Sequence, residues 1–149
     1  MLKFIDLNLS LVNKVNELGI ESVCADYFVE SAKTQKPVLM TASNPNFTFG
    51  GGLDYYFKKN YPFLCHFKQA KGGGNERIGN ICFIISVDEN LKGNKELVKE
   101  AIHFGLNNTL GEETLCLSGI GTNIGGMTED EFIDILKEAL NDNLNYLDI

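Results

Sequence analysis

The chain has 149 residues, of which 44% are hydrophobic and 22% are charged, and this composition predicts one soluble globular domain over residues 1–149. A formal net charge of −7 argues against a broad nucleic-acid-binding surface, since binding to phosphate backbones requires clustered Lys and Arg. No apolar run is long enough to span a membrane, and the first six residues read as a strand rather than a signal peptide, so we expect a cytoplasmic protein without a membrane partner.

Apolar runs and capping signals predict alternating strands and helices. The predicted strands are Leu2–Asp6, Ser22–Ala25, Val38–Ala42, Ile81–Ile85, Thr114–Leu117 and an edge strand over residues 145–149. The predicted helices are 10–18 capped by Ser10 and ended by Gly19, 53–71 broken at Tyr61-Pro62, 95–106 capped by Asn94, and one opened by the capping box Thr128–Glu131. Gly72, Gly73 and Gly74 read as a flexible connector.

The central apolar runs lack clean alternation, which is typical of strands buried on both faces. Together with the alternation of strands and helices, this predicts a three-layer α/β/α sandwich around a mixed, mainly parallel sheet. In such sheets ligands bind outside the carboxyl ends of the strands.

Two glycine-rich loops, residues 44–54 and 118–127, each follow a predicted strand and precede a predicted helix. Glycine lets the backbone approach a ligand closely, and a helix N-terminus presents unpaired N–H groups that suit phosphate. Two such loops in one chain predict a cleft that holds a diphosphate.

Asn44 and Asp54 stand at the two ends of the first loop. Asn44 could offer its carboxamide to a sugar hydroxyl, and Asp54 could bond a hydroxyl or orient a water molecule. The alternatives are that Asn44 only starts a turn with Pro45 and that Asp54 only complements the helix dipole.

The cysteines show no CxxC pairing and neither histidine has a paired ligand, so the sequence predicts buried reduced thiols, no metal site and no cofactor. The cysteines are Cys24, Cys65, Cys82 and Cys116.

Three motifs resemble those of the macro domain, an ADP-ribose-binding module, both in their residues and in their order and separation along the chain. Residues 41–44 (Thr-Ala-Ser-Asn) with 50–54 (Gly-Gly-Gly-Leu-Asp) are similar to its Asn-Ala-Ala-Asn strand end and glycine loop. Residues 120–124 (Ile-Gly-Thr-Asn-Ile) are similar to its Ile-Gly-Thr-Gly-Ile loop, and 25–27 (Ala-Asp-Tyr) to its Gly-Asp-Ile. Thr41 replaces the first Asn of the motif, and Tyr55 stands where a glycine often follows the aspartate.

The resemblance implies roles for named residues. Asp26 would accept a hydrogen bond from the adenine amine, and Tyr27 or Phe28 would stack on the base unless both only pack in the core. Asn44 would hold the distal ribose with Asp54 beside it, and these two residues would carry any catalysis. The residues implied to wrap the diphosphate through backbone N–H groups are Gly51, Gly52, Gly121, Thr122, Asn123 and Ile124. The other implied ligand-binding residues are Gly50, Leu53, Gly119, Ile120 and Gly125.

The implied function is binding of ADP-ribose with hydrolysis of mono-ADP-ribosyl groups, O-acetyl-ADP-ribose or ADP-ribose-1″-phosphate. The alternative is a reader or sensor of ADP-ribose without catalysis. In either case the expected partner is ADP-ribose or an ADP-ribosylated protein or small molecule, bound by a monomer.

Overall fold

A computed structural model describes residues 1–147, with side chains described for residues 1–142. The elements in chain order are β1 (Leu2–Asp6), α1 (Leu9–Asn16), β2 (Glu21–Cys24), α2 (Tyr27–Ala32), β3 (Pro37–Met40), α3 (Gly52–Asn60), α4 (Pro62–Lys71), β4 (Glu76–Ile78), β5 (Ile81–Phe83), α5 (Lys95–Asn107), β6 (Thr114–Leu117) and α6 (Glu129–Leu147).

The six strands form one sheet in the order β2-β1-β6-β3-β5-β4. Every neighbouring pair is parallel except β4 with β5, which is antiparallel. Phe4 of β1 lies opposite Ser22 on one side and Leu117 on the other. The predicted mixed, mainly parallel sheet is confirmed.

Helices cover both faces of the sheet. One core contains Phe4, Val38 and Leu117 with α1, α5 and α6, and the other contains Ile5, Leu39 and Cys116 with α2, α3 and α4. Neighbouring strand residues therefore point into different cores, as the period of two in a β-strand requires. The predicted three-layer sandwich is confirmed.

Local signals placed most elements correctly, but several boundaries differ: the strands predicted to end at Ala42 and Ile85 end at Met40 and Phe83, and the helix predicted over 10–18 spans Leu9–Asn16. Asn8, rather than Ser10, caps α1, because its side chain accepts a hydrogen bond from the Leu11 N–H. The predicted edge strand at 145–149 is wrong over 145–147, where α6 continues to Leu147, and residues 148–149 lie outside the described residues.

Two elements were not predicted, α2 and β4. Each is short, and the helix depends on a cap at Asp26 that the sequence analysis assigned to ligand binding. The glycine connector before β4 is held by Lys68, which is 1% exposed and whose Nζ donates to Gly72 O (2.9 Å) and Gly74 O (2.8 Å). The buried ammonium also pairs with Glu76 of β4 at 2.9 Å. Lys68 of α4 therefore holds residues 72–76 in place, and the prediction of a flexible connector is wrong.

Candidate binding cleft

A cleft of about 1130 Å³ opens at the carboxyl ends of the parallel strands, the edge where α/β sheets bind their ligands. Every residue that the sequence analysis selected for the site lines this cleft. They are Asp26, Tyr27, Asn44, Gly50, Gly51, Gly52, Leu53, Asp54, Gly119, Ile120, Gly121, Thr122, Asn123, Ile124 and Gly125.

The strand order arranges the lining groups in a row. Asp26 follows β2 and Asp6 ends β1, so two carboxyl groups come first. The loop after β6 (residues 118–127) and the loop after β3 (residues 41–51) occupy the middle, and Ser86 follows β5 at the other end. Adjacent strands lie about 4.8 Å apart, so the four steps from β2 to β5 span roughly 19 Å.

The first glycine loop enters α3 through a constrained backbone. Phe47 and Phe49 are buried and have left-handed φ values of +50° and +52°, which non-glycine residues seldom adopt. Gly51, the N-cap of α3, is extended with φ −163°, and Gly52 has φ +58°. Gly52, Leu53 and Asp54 begin the helix, and their N–H groups therefore have no acceptor within it.

The second glycine loop is fixed by its own hydrogen bonds. The Gly119 N–H donates to Asp6 Oδ2 (2.9 Å), Thr122 Oγ1 donates to Gly119 O (2.5 Å), and the Met127 N–H donates to Gly121 O (3.0 Å). By contrast, the N–H groups of residues 121 and 123–125 have no acceptor among the residues that the structure describes. A fixed loop with four such donors in a cleft lining is suited to an anion.

The two loops meet at one side chain. Ile124 is 57% exposed, and a Cβ added at Gly51 would lie 3.0 Å from its Cδ1 atom. A Cβ at Gly52 would lie 3.3 Å from the same atom. The absence of side chains at Gly51 and Gly52 is therefore what allows Ile124 to cross over the start of α3.

Asp26 has a structural contact as well as a place in the cleft. Its Oδ1 accepts hydrogen bonds from the N–H groups of Phe28 and Val29, both at 3.0 Å, and so caps α2. Its Oδ2 atom has no partner among the described residues, and the residue is exposed. One carboxylate oxygen is therefore available to a ligand.

Tyr27 lines the cleft, but its phenol lies in the sheet. Its hydroxyl donates to Cys116 O of β6 (2.5 Å) and accepts from the Met40 N–H of β3 (2.8 Å). Burial raises the pKa of this phenol well above its usual value. The hydroxyl thus joins β3 to β6 where their ladder ends, and its neighbour Phe28 is the half-buried aromatic residue on the cleft wall.

Asn44 uses its side chain within its own loop. Its Oδ1 accepts from the N–H groups of Asn46 (3.1 Å) and Thr48 (3.3 Å), and its Nδ2 donates to Thr48 Oγ1 (2.8 Å). This is the turn-forming role that the sequence left open as an alternative. A role toward a ribose stays a prediction.

Asp54 is 5% exposed and both of its oxygens have partners. Oδ1 accepts from the Ala42 N–H (2.8 Å) and Oδ2 lies 2.6 Å from Ser43 Oγ. Burial raises the pKa of the Asp54 carboxyl to about 6, and the hydrogen bonds from Ser43 and Ala42 oppose that rise. Asp54 thereby ties the start of α3 to the end of β3, and its catalytic role stays a prediction.

Several cleft residues were missed by sequence reasoning, among them Asp6, Asn8, Ser86 and Glu129. Glu129 accepts hydrogen bonds from Asn8 Nδ2 (2.9 Å) and Ser10 Oγ (2.8 Å) and pairs with Lys14 (3.1 Å). These contacts hold the pKa of Glu129 at about 2. Asp6 could have been found from its place at a strand end, whereas the contacts of Glu129 depend on α1 packing beside α6.

The structure confirms the predicted burial for three of the four cysteines. Cys65, Cys82 and Cys116 are buried, and desolvation raises the pKa of each thiol, to about 12, 11 and 11 respectively. Cys24 is exposed, contrary to the general expectation of burial. Within the part of the chain that the structure describes, no group of three metal-binding side chains occurs and no helix could cross a membrane.

Comparison with solved structures identifies the fold. The macrodomain of Mycobacterium tuberculosis DarG superposes with a TM-score of 0.60 at 12% sequence identity, over 72% of this chain and 82% of that one. The chain has a macrodomain-like fold. Neither a protein-family model nor a curated protein sequence matches the chain. The resemblance read from the three motifs is therefore supported by the fold of this macrodomain-like chain and not by overall sequence similarity.

Proposed function

We propose that the cleft binds ADP-ribose, either free or attached to a protein or small molecule. The observation that carries the proposal is the order of chemistry across the sheet: carboxylates after β2 and β1, amide donors after β6 and β3, and a neutral hydroxyl after β5. ADP-ribose presents an exocyclic amine, a diphosphate and a terminal pentose in the same order.

The middle of the cleft supports a diphosphate. The chain is acidic overall, yet backbone N–H groups of the second loop and of the first turn of α3 have no acceptor among the described residues and can bind an anion. Backbone donors at a helix N-terminus bind phosphate through local geometry and dipole, so a net charge of −7 is no obstacle.

The carboxylate end supports an adenine. An amine on the base donates hydrogen bonds, and the unpaired Oδ2 of Asp26 can accept one. A base with a carbonyl in place of that amine would instead set one acceptor, its carbonyl oxygen, against another acceptor, the Asp26 carboxylate. The cleft should therefore prefer ADP-ribose to its inosine analogue.

Isothermal titration calorimetry tests the proposal, with ADP-ribose, its inosine analogue, NAD and AMP as ligands. We expect ADP-ribose to bind tightest, with the inosine analogue weaker by about tenfold, the loss typical of one unpaired hydrogen-bonding group. Failure of the wild-type protein to bind ADP-ribose at millimolar ligand would refute the proposed function.

A second candidate is hydrolysis of an ADP-ribosyl bond. It is favoured by Asp54, a cleft carboxyl whose pKa of about 6 lies in the range of general acids and bases. Against it, both Asp54 oxygens have chain partners, so water activation would require the carboxyl to release Ser43 or Ala42. The present contacts support the reader function better.

Turnover assays separate the two functions. Ester-linked and N-linked mono-ADP-ribosylated proteins, O-acetyl-ADP-ribose and ADP-ribose-1″-phosphate form the substrate panel. If the protein is a hydrolase, Asp54→Asn should lower turnover by at least ~10²-fold with little loss of ADP-ribose affinity. If the wild type binds ADP-ribose and turns over none of these substrates, it is a reader.

A further inference from the structure

Ser86 is a buried polar residue in the cleft lining whose hydroxyl has no use within the described part of the chain. The residue is 0% exposed, and its Oγ atom has no hydrogen-bond partner there. Its backbone is paired, because the Ser86 N–H donates to Ser43 O at 2.9 Å. Buried side-chain oxygens in native proteins are almost always hydrogen-bonded, so an unpartnered one in a cleft indicates a partner that comes from outside.

The position of Ser86 identifies which part of a ligand it would meet. It follows β5, one residue beyond the parallel bridge between Ser43 and Ile85, and lies four strands away from Asp26. Its carbonyl oxygen is 3.8 Å from where a Cβ of Gly121 would lie, so it sits directly under the second glycine loop. Counted along the sheet from Asp26, Ser86 therefore lies beyond β6 and β3, while it borders the amide donors of the second loop.

A serine hydroxyl is a neutral group that both donates and accepts one or more hydrogen bonds, as a sugar hydroxyl does. Ser86 lines the cleft, so a group that enters the cleft at this point can supply the partner that its Oγ lacks among the described residues. Resting on the proposed function, we propose that Ser86 Oγ hydrogen-bonds the terminal pentose of ADP-ribose, the one without adenine, and so distinguishes ADP-ribose from ADP.

In the ligand-free protein the Ser86 hydroxyl should contribute nothing to stability. A serine with a structural hydrogen bond, for example to a permanently bound water, would lose stability on removal of the hydroxyl. A serine whose hydroxyl bonds only to a ligand makes no hydrogen bond in the free state, so its removal costs no stability there. Ser86→Ala should therefore melt at the same temperature as the wild type or higher when no ligand is present.

The test compares calorimetric affinities of wild type, Ser86→Ala and Ser31→Ala for ADP-ribose and ADP. Ser31 is the matched control, since it is a 2% exposed serine away from the cleft that donates to Phe28 O. We expect Ser86→Ala to weaken ADP-ribose binding three- to tenfold and to leave ADP binding unchanged, because ADP lacks the terminal pentose. Ser31→Ala should change neither affinity.

The outcomes are distinguishable from failure of the proposed function. If the wild type binds ADP-ribose and Ser86→Ala binds it equally well, the role of Ser86 is overturned while the function stands. Equal weakening of ADP and ADP-ribose, or a lower melting temperature in the free protein, also overturns it, because either result assigns Ser86 to the fold. If the wild type binds neither nucleotide, the proposed function itself fails.

Discussion

Protonation of Asp54 should make the protein more stable in mild acid than at neutral pH. Burial raises the pKa of this carboxyl from 3.8 to about 6 in the folded state, and only 5% of the residue is exposed. One pKa unit corresponds to about 1.36 kcal/mol, so the shift of about two units amounts to about 3 kcal/mol. Because the folded pKa is raised, this stability is fully present below about pH 4 and is lost as the pH rises through 6.

The hydrogen-bond network around Asp54 is complete when the carboxyl is neutral. The ionised carboxylate accepts a hydrogen bond from Ser43 Oγ at 2.6 Å. Once protonated, Oδ2 can donate to Ser43 Oγ instead, which leaves the Ser43 proton for Thr41 Oγ1 at 2.9 Å, and Thr41 Oγ1 donates to Ile84 O at 3.4 Å. Oδ1 still accepts from the Ala42 N–H. Asparagine preserves this arrangement, since its Nδ2 donates where the protonated carboxyl did.

Urea denaturation of wild type and Asp54→Asn between pH 4 and pH 7.5 measures the effect. We expect the wild type to lose up to about 3 kcal/mol of unfolding free energy relative to the Asn variant across this range. Taking the difference between the two proteins removes contributions from groups such as Glu113 and Glu129, whose pKa values are held at about 2. Asp134→Asn, on the exposed face of α6, is the control for the substitution itself. A difference between wild type and Asp54→Asn that stays constant with pH would refute the reasoning.

Three further predictions follow from the cleft and its supports. Asp26→Ser should keep the α2 cap through its Oγ atom and weaken ADP-ribose binding about tenfold in calorimetry. Asp26→Ala should weaken binding likewise and also lower the unfolding free energy by about 1 kcal/mol, because the cap is lost. Equal affinity of Asp26→Ser and wild type would remove Asp26 from the site. Gly51→Val should weaken ADP-ribose binding, because its branched side chain would share the cleft lining with Ile124, whose exposed Cδ1 atom lies 3.0 Å from the added Cβ and would have to move. Gly50→Ala, whose nearest neighbour is 4.0 Å away, should bind as the wild type does; unchanged binding by a folded Gly51→Val would contradict the placement of this loop. Lys68→Met should cost about 1–3 kcal/mol in urea denaturation, because the carbonyls of Gly72 and Gly74 and the carboxylate of Glu76 lose a charged donor, and an unchanged midpoint would show that water replaces it.

Gly51 is a clearer position for testing the diphosphate loops than Gly121. Gly121 has φ +82°, and a Cβ there would lie 2.8 Å from Val98 Cγ2 in the core. A valine at 121 would therefore disturb packing whether or not phosphate binds nearby. Gly51 has an extended backbone that any residue can adopt, so the only group its side chain meets closely is Ile124 at the cleft.

The sequence alone determined the fold class and the two loops, because both depend on short-range patterns. Apolar runs of strand length, the capping box at Thr128 and the Asn94 cap act over a few residues, and the structure confirms these elements. The glycines that follow β3 and β6 mark the carboxyl ends of parallel strands, so their residues necessarily share one edge of the sheet.

Only the tertiary structure decided what each polar side chain does at that edge. Asp26 caps a helix, Tyr27 joins two strands, and Asp54 turns inward toward Ser43, because the donors and acceptors that engage them are supplied by packing or by turns that spacing does not specify. The order of the strands likewise depends on long-range pairing, and it alone puts Ser86 at the opposite end of the cleft from Asp26. Local sequence indicates the glycine loops and strand ends that line the cleft, whereas contacts between distant elements bring in groups such as Glu129 and decide which atoms stay free to bind a ligand.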